Sequence, residues 1–137
     1  MPMNYSIKAS SMAGNDAVVH IKKSDIAFGT TAGTADKMPN PAELFLGAFA
    51  ACILKNVERF SGMMRFSYEE AELKVTAERL ENPPRIDHLT YELTIYTQDE
   101  KLNSVLLKKN IEKFGTIYNT VKRSSYISGS IIIRSNV

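Results

Sequence analysis

Alternating apolar and polar positions open the chain and predict a small β-structure. Tyr5, Ile7 and Ala9 would share the buried face of a half-buried strand over residues 5–10. The Gly14-Asn15-Asp16 turn then leads to a returning strand over residues 17–23, with a short third strand over 25–28. Residues 29–40 are rich in Gly and Thr, which favours a loop.

The clearest local signal is the start of a helix after this loop. Asn40 suits the N-cap, Pro41 suits the first helical position, and Glu43 stands three residues after Asn40. This spacing predicts a capping box, in which the side chains of Asn40 and Glu43 each bond the other's backbone N–H. The pair Ser61-Gly62 predicts that the helix ends near Phe60.

The first half of this helix is apolar on every side, because residues 44–54 carry no polar side chain other than a cysteine thiol. A helix of this kind has to be covered on every side. Gly47, Ala48, Ala50 and Ala51 would let another backbone approach closely. A chain with one other substantial helix obtains such cover most easily from a second copy, so we expect a homodimer.

The second half of the chain alternates strands and helices in blocks. Two alternating runs, over residues 70–77 and 85–97, flank Asn82-Pro83-Pro84 and predict a hairpin. Apolar residues at helical spacing predict an amphipathic helix over 102–114, followed by a short helix over 116–123 and a buried closing strand over 130–134. This order favours an α+β fold, and the length favours one domain over residues 1–137.

Composition excludes several classes of protein. Apolar residues make up 44% and charged residues 23% of the chain, which is typical of a globular protein. A net charge of +2 argues against a nucleic-acid surface. The longest apolar run, residues 44–54, is shorter than the roughly 20 residues of a membrane span. No export signal is visible and one cysteine cannot form an internal disulfide, so we expect a cytoplasmic protein.

Cys52, the one cysteine, lies near the middle of the apolar helix. A free cysteine most often serves as a small buried hydrophobe. Lys55, three residues later, is a cation close enough to favour a thiolate, and Asn56, four residues later, can donate a hydrogen bond. The helix N-terminus is too distant to activate the sulfur. Cys52 is therefore a candidate nucleophile with a structural alternative.

Metal and cofactor chemistry is not indicated. His20 and His88 lie within strand patterns without partners at metal-ligand spacing. The sequence also lacks the glycine-rich phosphate-binding motifs and the nucleophile-elbow motif. We predict neither a metal site nor a cofactor.

Two segments resemble the OsmC/Ohr family of osmotically inducible and organic hydroperoxide resistance proteins. NPAELFLGAFAACILKNVERF is similar to the family's core helix, which ends a run of small residues in cysteine. KFGTIYNTVKR is similar to the family's cysteine-Pro-x-x-Asn-x-x-x-Arg/Lys segment. The resemblance implies antiparallel sheets around a long buried core helix, a second amphipathic helix, and a swapped homodimer with active sites between subunits.

The resemblance also implies a reaction. A peroxidatic cysteine attacks a peroxide oxygen, becomes a sulfenic acid and forms a disulfide with a second cysteine, while an Arg and a Glu hold the thiolate. Cys52 matches the peroxidatic position, but Gly115 stands where the second cysteine would be. Asn15 stands at the position of the Arg, and Ala42 at that of the Glu. Glu43 is one position away, a rotation of about 100° around the helix. It matches a looser OsmC-like branch and is a second candidate catalytic residue, with capping as the structural alternative.

Two functions remain open at this point. In the first, Cys52 reduces organic hydroperoxides and an external thiol reduces the sulfenic acid, with Tyr118 or Arg123 replacing the missing groups. In the second, an apolar surface at the dimer interface binds an apolar or acyl-carrier-like small molecule, and the lysines of the second helix meet its anionic head group. The residues of that surface would be Phe45, Phe49, Met63, Met64 and Phe66. Each of them can also be ordinary core.

Overall fold

The computed structural model describes residues 2–135, which divide into two compact units after Phe45. The first unit contains a three-stranded antiparallel sheet in the order β1-β2-β3. Its strands are β1 (Lys8–Ser11), β2 (Ala17–Ile21) and β3 (Ser24–Phe28), and the loop after them contains a short 3-10 turn at Ala32–Thr34. The sequence therefore predicted these three strands in the correct order.

The first strand is shorter and more exposed than its alternating pattern predicted. Tyr5 and Ile7 precede β1 and are 79% and 56% exposed, and all four residues of β1 are exposed. The prediction of a half-buried strand over residues 5–10 is wrong, because the strand spans only Lys8–Ser11 and the described residues of this unit leave all four exposed. An alternating pattern identifies the two faces of a strand but not whether either is covered.

The loop that leads into the first helix is held by Asp16. Its Oδ1 accepts hydrogen bonds from Thr34 Oγ1 at 2.7 Å and from Thr30 N at 3.0 Å. These bonds, with further bonds from Thr31, lower the pKa of the Asp16 carboxyl because they favour its charged form. Asn15, beside it, donates from Nδ2 to Ala13 O and serves the turn.

Helix α1 (Pro41–Met63) begins where the sequence predicted. Asn40 Oδ1 accepts from Glu43 N at 2.8 Å, and Glu43 Oε1 accepts from Asn40 N at 3.1 Å. The capping box is thus confirmed, and it gives the Glu43 carboxylate a structural role.

The helix ends three residues later than predicted. Ser61 and Gly62 are helical, and the chain leaves the helix at Arg65, whose φ is 58°. Phe66 N donates to Ser61 O at 3.0 Å, the bond that closes a Schellman motif. The prediction placed the left-handed residue at Gly62, the residue type that adopts it most easily, but the structure places it at an arginine.

The second unit is built on a mixed sheet in the order β4-β5-β6. Strands β4 (Glu70–Leu80) and β5 (Arg85–Tyr96) form the predicted antiparallel hairpin. Strand β6 (Ile127–Arg134) pairs with β5 in parallel. The expected antiparallel pairing holds for the other three strand pairs but not for this one, because α2 and α3 carry the chain back to the other end of the sheet before β6 begins.

Helices α2 (Ser104–Phe114) and α3 (Thr116–Lys122) complete the second unit and confirm the two predicted helices. One hydrophobic core joins α1, β5, α2 and α3. Its fully buried side chains are Phe49, Ile53, Val57, Leu89, Tyr91, Leu93, Ile95, Leu107 and Ile111. This core fixes the middle of α1 against the start of α3, which is where the candidate site lies.

The core of the second unit buries one face of α1. Phe49, Ile53 and Val57 are fully buried, whereas Leu54 is 37% exposed and Gly47 has no neighbour within 4 Å of the position a Cβ would take. The predicted closing strand over 130–134 is present within β6, but it is not buried within one chain, because Ile132 and Ile133 are about 40% exposed. Apolar surface thus remains uncovered on both elements.

Candidate functional site

The candidate site is built around the thiol of Cys52, a partly buried residue of α1. Gly115, between α2 and α3, packs directly against it. A Cβ at position 115 would stand 3.2 Å from Cys52 Sγ. The structure therefore brings together the two positions at which the family resemblance places the reacting cysteine pair, although 115 is a glycine here.

Backbone hydrogen bonds fix Gly115 at this junction. Gly115 N donates to Ile111 O at 3.0 Å, and Asn119 N donates to Gly115 O at 2.9 Å. The Asn119 side chain also donates to Lys113 O at 2.9 Å, which satisfies a carbonyl at the end of α2. The sequence motif contains Asn119 without indicating its role, which is to hold the turn that faces the sulfur.

Asn56 provides the polar contact to the thiol. Its side chain is buried, with the residue only 8% exposed. Its Nδ2 donates to Cys52 O at 2.8 Å and lies 3.7 Å from Cys52 Sγ, within the range of a hydrogen bond to sulfur. The donor that its spacing predicted is therefore present.

An aromatic and carboxylate cluster lies on the core side of the site. The Phe49 ring stacks on Tyr118 at 5.8 Å and is tilted against Tyr91 at 6.4 Å. Tyr91 donates to Glu112 at 2.6 Å, and Lys108 donates to the same Glu112 oxygen at 2.8 Å. The spacing of Lys108 and Glu112 is the signal by which the sequence could have predicted their pairing, but their link to Tyr91 is not local.

The two tyrosines of this cluster keep their protons. Burial, followed by the negative charge of Glu112, raises the pKa of Tyr118 to about 12. Burial and the hydrogen bond to Glu112 raise the pKa of Tyr91 further. Both phenols are therefore neutral at physiological pH and act as hydrogen-bond donors rather than bases.

The other predicted site residues have different surroundings. Phe49 and Tyr118 belong to the core, as does Phe66. Phe45 and Met63 are 43% and 65% exposed. The remaining predicted site residues are Met64, which is partly buried against the core, and Arg123, which is exposed and follows α3 as its C-cap.

Each histidine has a carboxylate neighbour within its own unit. His20 Nδ1 lies 2.7 Å from Asp25 Oδ1, and His88 Nδ1 lies 3.0 Å from Glu78 Oε2. Across residues 2–135, no group of three or more His, Cys, Asp or Glu side chains is arranged to hold a metal ion. None of the helices in this part of the chain combines the length and apolarity needed to cross a membrane.

Comparison with solved structures shows the same fold in three proteins of related description. An OsmC-like protein from Mycoplasma pneumoniae superposes with a TM-score of 0.81 at 17% identity, covering 98% of this chain and 99% of that one. An organic hydroperoxide resistance protein from Elizabethkingia anophelis gives 0.68 at 16% identity, covering 99% and 100%. A further one, from Legionella pneumophila, gives 0.66 at 15% identity, covering 96% and 99%.

Two sequence comparisons complement the structural one. The search of curated proteins finds no match to the chain. The family model described as "OsmC-like protein" matches residues 33–128, which include all of α1, the hairpin, α2 and α3. With the fold, the core helix and the Cys52–Gly115 juxtaposition in agreement, the chain belongs to the family of OsmC-like proteins.

Proposed function

We propose that the protein reduces organic hydroperoxides with Cys52 as the attacking nucleophile. The Cys52 thiolate attacks the terminal peroxide oxygen, the O–O bond breaks, and the alkoxide leaves and takes up a proton to become an alcohol. The sulfur loses two electrons and becomes a sulfenic acid, while the peroxide is reduced by the same two electrons. Membership of a family that includes organic hydroperoxide resistance proteins supports this reaction.

The observation that carries the proposal is the position of the Cys52 sulfur. It lies against Gly115, at the place of the second cysteine in the resemblance. The Asn56 amide also gives this sulfur a polar contact, which a cysteine that only fills the core does not require.

An external thiol completes the cycle in this proposal. Cys52 is the only cysteine, so no second thiol of the chain can attack its sulfenic acid. A thiol of low molecular weight attacks the sulfenic sulfur, forming a mixed disulfide and releasing water. A second thiol then attacks that disulfide, restores Cys52 and leaves as the oxidised reductant. A reducing cytosol, the compartment expected from the sequence, would supply such thiols.

We also propose that two copies form the working unit. The uncovered face of α1, with Leu54 and Gly47, and the exposed Ile132 and Ile133 of β6 would be covered by a second chain. The swapped homodimer implied by the family resemblance provides such cover. Light scattering is expected to give the mass of two chains. A well-folded species with the mass of one chain would contradict this expectation.

The proposed activity is tested with cumene hydroperoxide and an excess of a dithiol. Wild type is expected to consume many equivalents, and Cys52→Ala is expected to fall to the rate measured without protein because the nucleophile is gone. Cys52→Ala retains all six methionines, so it also measures their oxidation as background. Equal consumption by the two proteins would contradict the proposal.

The alternative function, binding of an apolar ligand, has less support. Two residues of its predicted surface, Phe49 and Phe66, are core residues that are 0% and 6% exposed. Phe45 and Met63 are exposed, but the proposed second copy of the chain would also account for an exposed apolar surface. Native mass spectrometry distinguishes the two functions: a retained small molecule favours binding, and an oxidised Cys52 favours redox chemistry.

A further inference from the structure

We propose that Asn56 is a catalytic residue that holds the Cys52 thiolate and then the sulfenic acid through its amide N–H. This inference rests on the proposed hydroperoxide reduction and assigns to Asn56 the task of the Arg that the family resemblance expects at position 15. The chain has Asn at position 15, and its side chain serves a turn in the first unit. A donor to the sulfur therefore has to come from elsewhere.

The burial of Asn56 requires an explanation. It occupies the buried face of α1 together with Ile53, Val57 and Phe60, and it is 92% removed from solvent. Burying an amide among apolar side chains costs free energy unless the amide is hydrogen-bonded. A leucine of nearly the same shape would fill this position without that cost. The amide is therefore retained at a position where packing alone favours an apolar residue.

The hydrogen bonds of Asn56 are directed only at Cys52. Its Nδ2 donates to Cys52 O and lies 3.7 Å from Cys52 Sγ. That carbonyl already accepts the backbone N–H of residue 56 by the regular pattern of an α-helix, so it does not require a second donor. The contact with the sulfur is different, because a cysteine thiol takes no part in the backbone hydrogen bonds of a helix.

This contact has a direct consequence for the reaction. A thiolate is a better hydrogen-bond acceptor than a thiol, so the Nδ2 hydrogen favours the form that attacks the peroxide. After the O–O bond breaks, the same amide can donate to the oxygen that the sulfur has gained. Asn56 therefore acts on the reacting atom before and after oxygen transfer.

The test compares Asn56→Leu with wild type by the rate of Cys52 alkylation with iodoacetamide and by hydroperoxide turnover. Leucine keeps the shape of the side chain and removes the donor, so the variant is expected to fold with unchanged or higher Tm. Both rates are expected to fall by about three- to tenfold, because the variant has a smaller fraction of Cys52 thiolate. The fall is limited because a thiolate without a hydrogen bond is intrinsically more nucleophilic. Asn56→Asp keeps the size of the side chain but adds a negative charge beside the sulfur. In this variant the alkylation and turnover rates are expected to fall at least as much.

The matched control is Asn110→Leu. Asn110 lies on α2 and also donates to a sulfur, Met64 Sδ at 3.5 Å, but not to Cys52. Its variant is expected to keep both rates within twofold of wild type. Wild-type rates in folded Asn56→Leu would overturn the role of Asn56 while leaving the peroxidase proposal intact. Slowed alkylation in a protein whose wild type shows no turnover would support the contact and overturn the peroxidase proposal.

Discussion

Oxidation of the Gly115→Cys variant is expected to join residues 115 and 52 by a disulfide. In a disulfide, the Cβ of one cysteine lies about 3 Å from the sulfur of the other. A Cβ at position 115 would lie 3.2 Å from Cys52 Sγ, so little movement is needed. The same Cβ would stand 2.9 Å from Ile111 O, and the reduced variant is therefore expected to be less stable than wild type by about 1–2 kcal/mol.

The disulfide is measured by the loss of both free thiols and by intact mass. Gly62→Cys is the matched control, because it places a thiol on an open position of α1 about 15 Å along the helix from Cys52. The Gly62→Cys variant is expected to form no disulfide within one chain, so both of its thiols stay free. A folded Gly115→Cys protein that also keeps two free thiols under oxidant would show that Gly115 does not face the Cys52 sulfur.

Gly129→Ala is expected to cause the largest loss of stability of any small substitution considered. Gly129 of β6 stands opposite Tyr91 of β5, and a methyl group there would overlap the Tyr91 ring. That ring is fully buried and its hydroxyl is bonded to Glu112 at 2.6 Å, so it cannot move aside without losing core contacts. We expect a cost of about 3 kcal/mol or more in the free energy of unfolding.

Chemical denaturation measures this cost. Gly62→Ala provides the control, since Gly62 lies in α1 with open space around the position of its missing Cβ. Alanine is favoured over glycine within a helix, so this variant is expected to be as stable as wild type or more stable by up to about 1 kcal/mol. An unchanged denaturation midpoint in Gly129→Ala would mean that β6 does not lie over the Tyr91 ring.

Local signals predicted most of the elements. The capping box joins Asn40 and Glu43, which are three residues apart, so the start of α1 could be predicted from local sequence. The hairpin of β4 and β5 follows from two alternating runs beside a proline-rich turn. Both features can be predicted without knowing how distant parts of the chain pack.

The wrong predictions concern features that depend on residues distant in the sequence. Alternation over residues 5–10 and the apolar run at 131–133 indicated burial, but cover depends on what packs above a strand. The end of α1 was placed at Gly62 by residue preference, whereas the observed turn has Arg65 in the left-handed region. The parallel pairing of β6 depends on where α2 and α3 return the chain, which periodicity does not show.

The site was predicted only in part. The spacing of Cys52 and Asn56 on one helix predicted their contact, and the structure shows it. The approach of Gly115 to Cys52 joins residues far apart in sequence, so only the family resemblance could indicate it. No local pattern connects Tyr91 with Glu112, and this part of the site was therefore missed.

In the proposed reaction, Cys52 takes an oxygen atom from an organic hydroperoxide, and an external thiol releases that oxygen as water. Intact mass spectrometry after one equivalent of cumene hydroperoxide, combined with peptide mapping, detects the oxidised residue. We expect one added oxygen on Cys52, replaced by a mixed disulfide when a monothiol is added. Oxygen found only on methionines, with Cys52 unmodified in the folded protein, would contradict it.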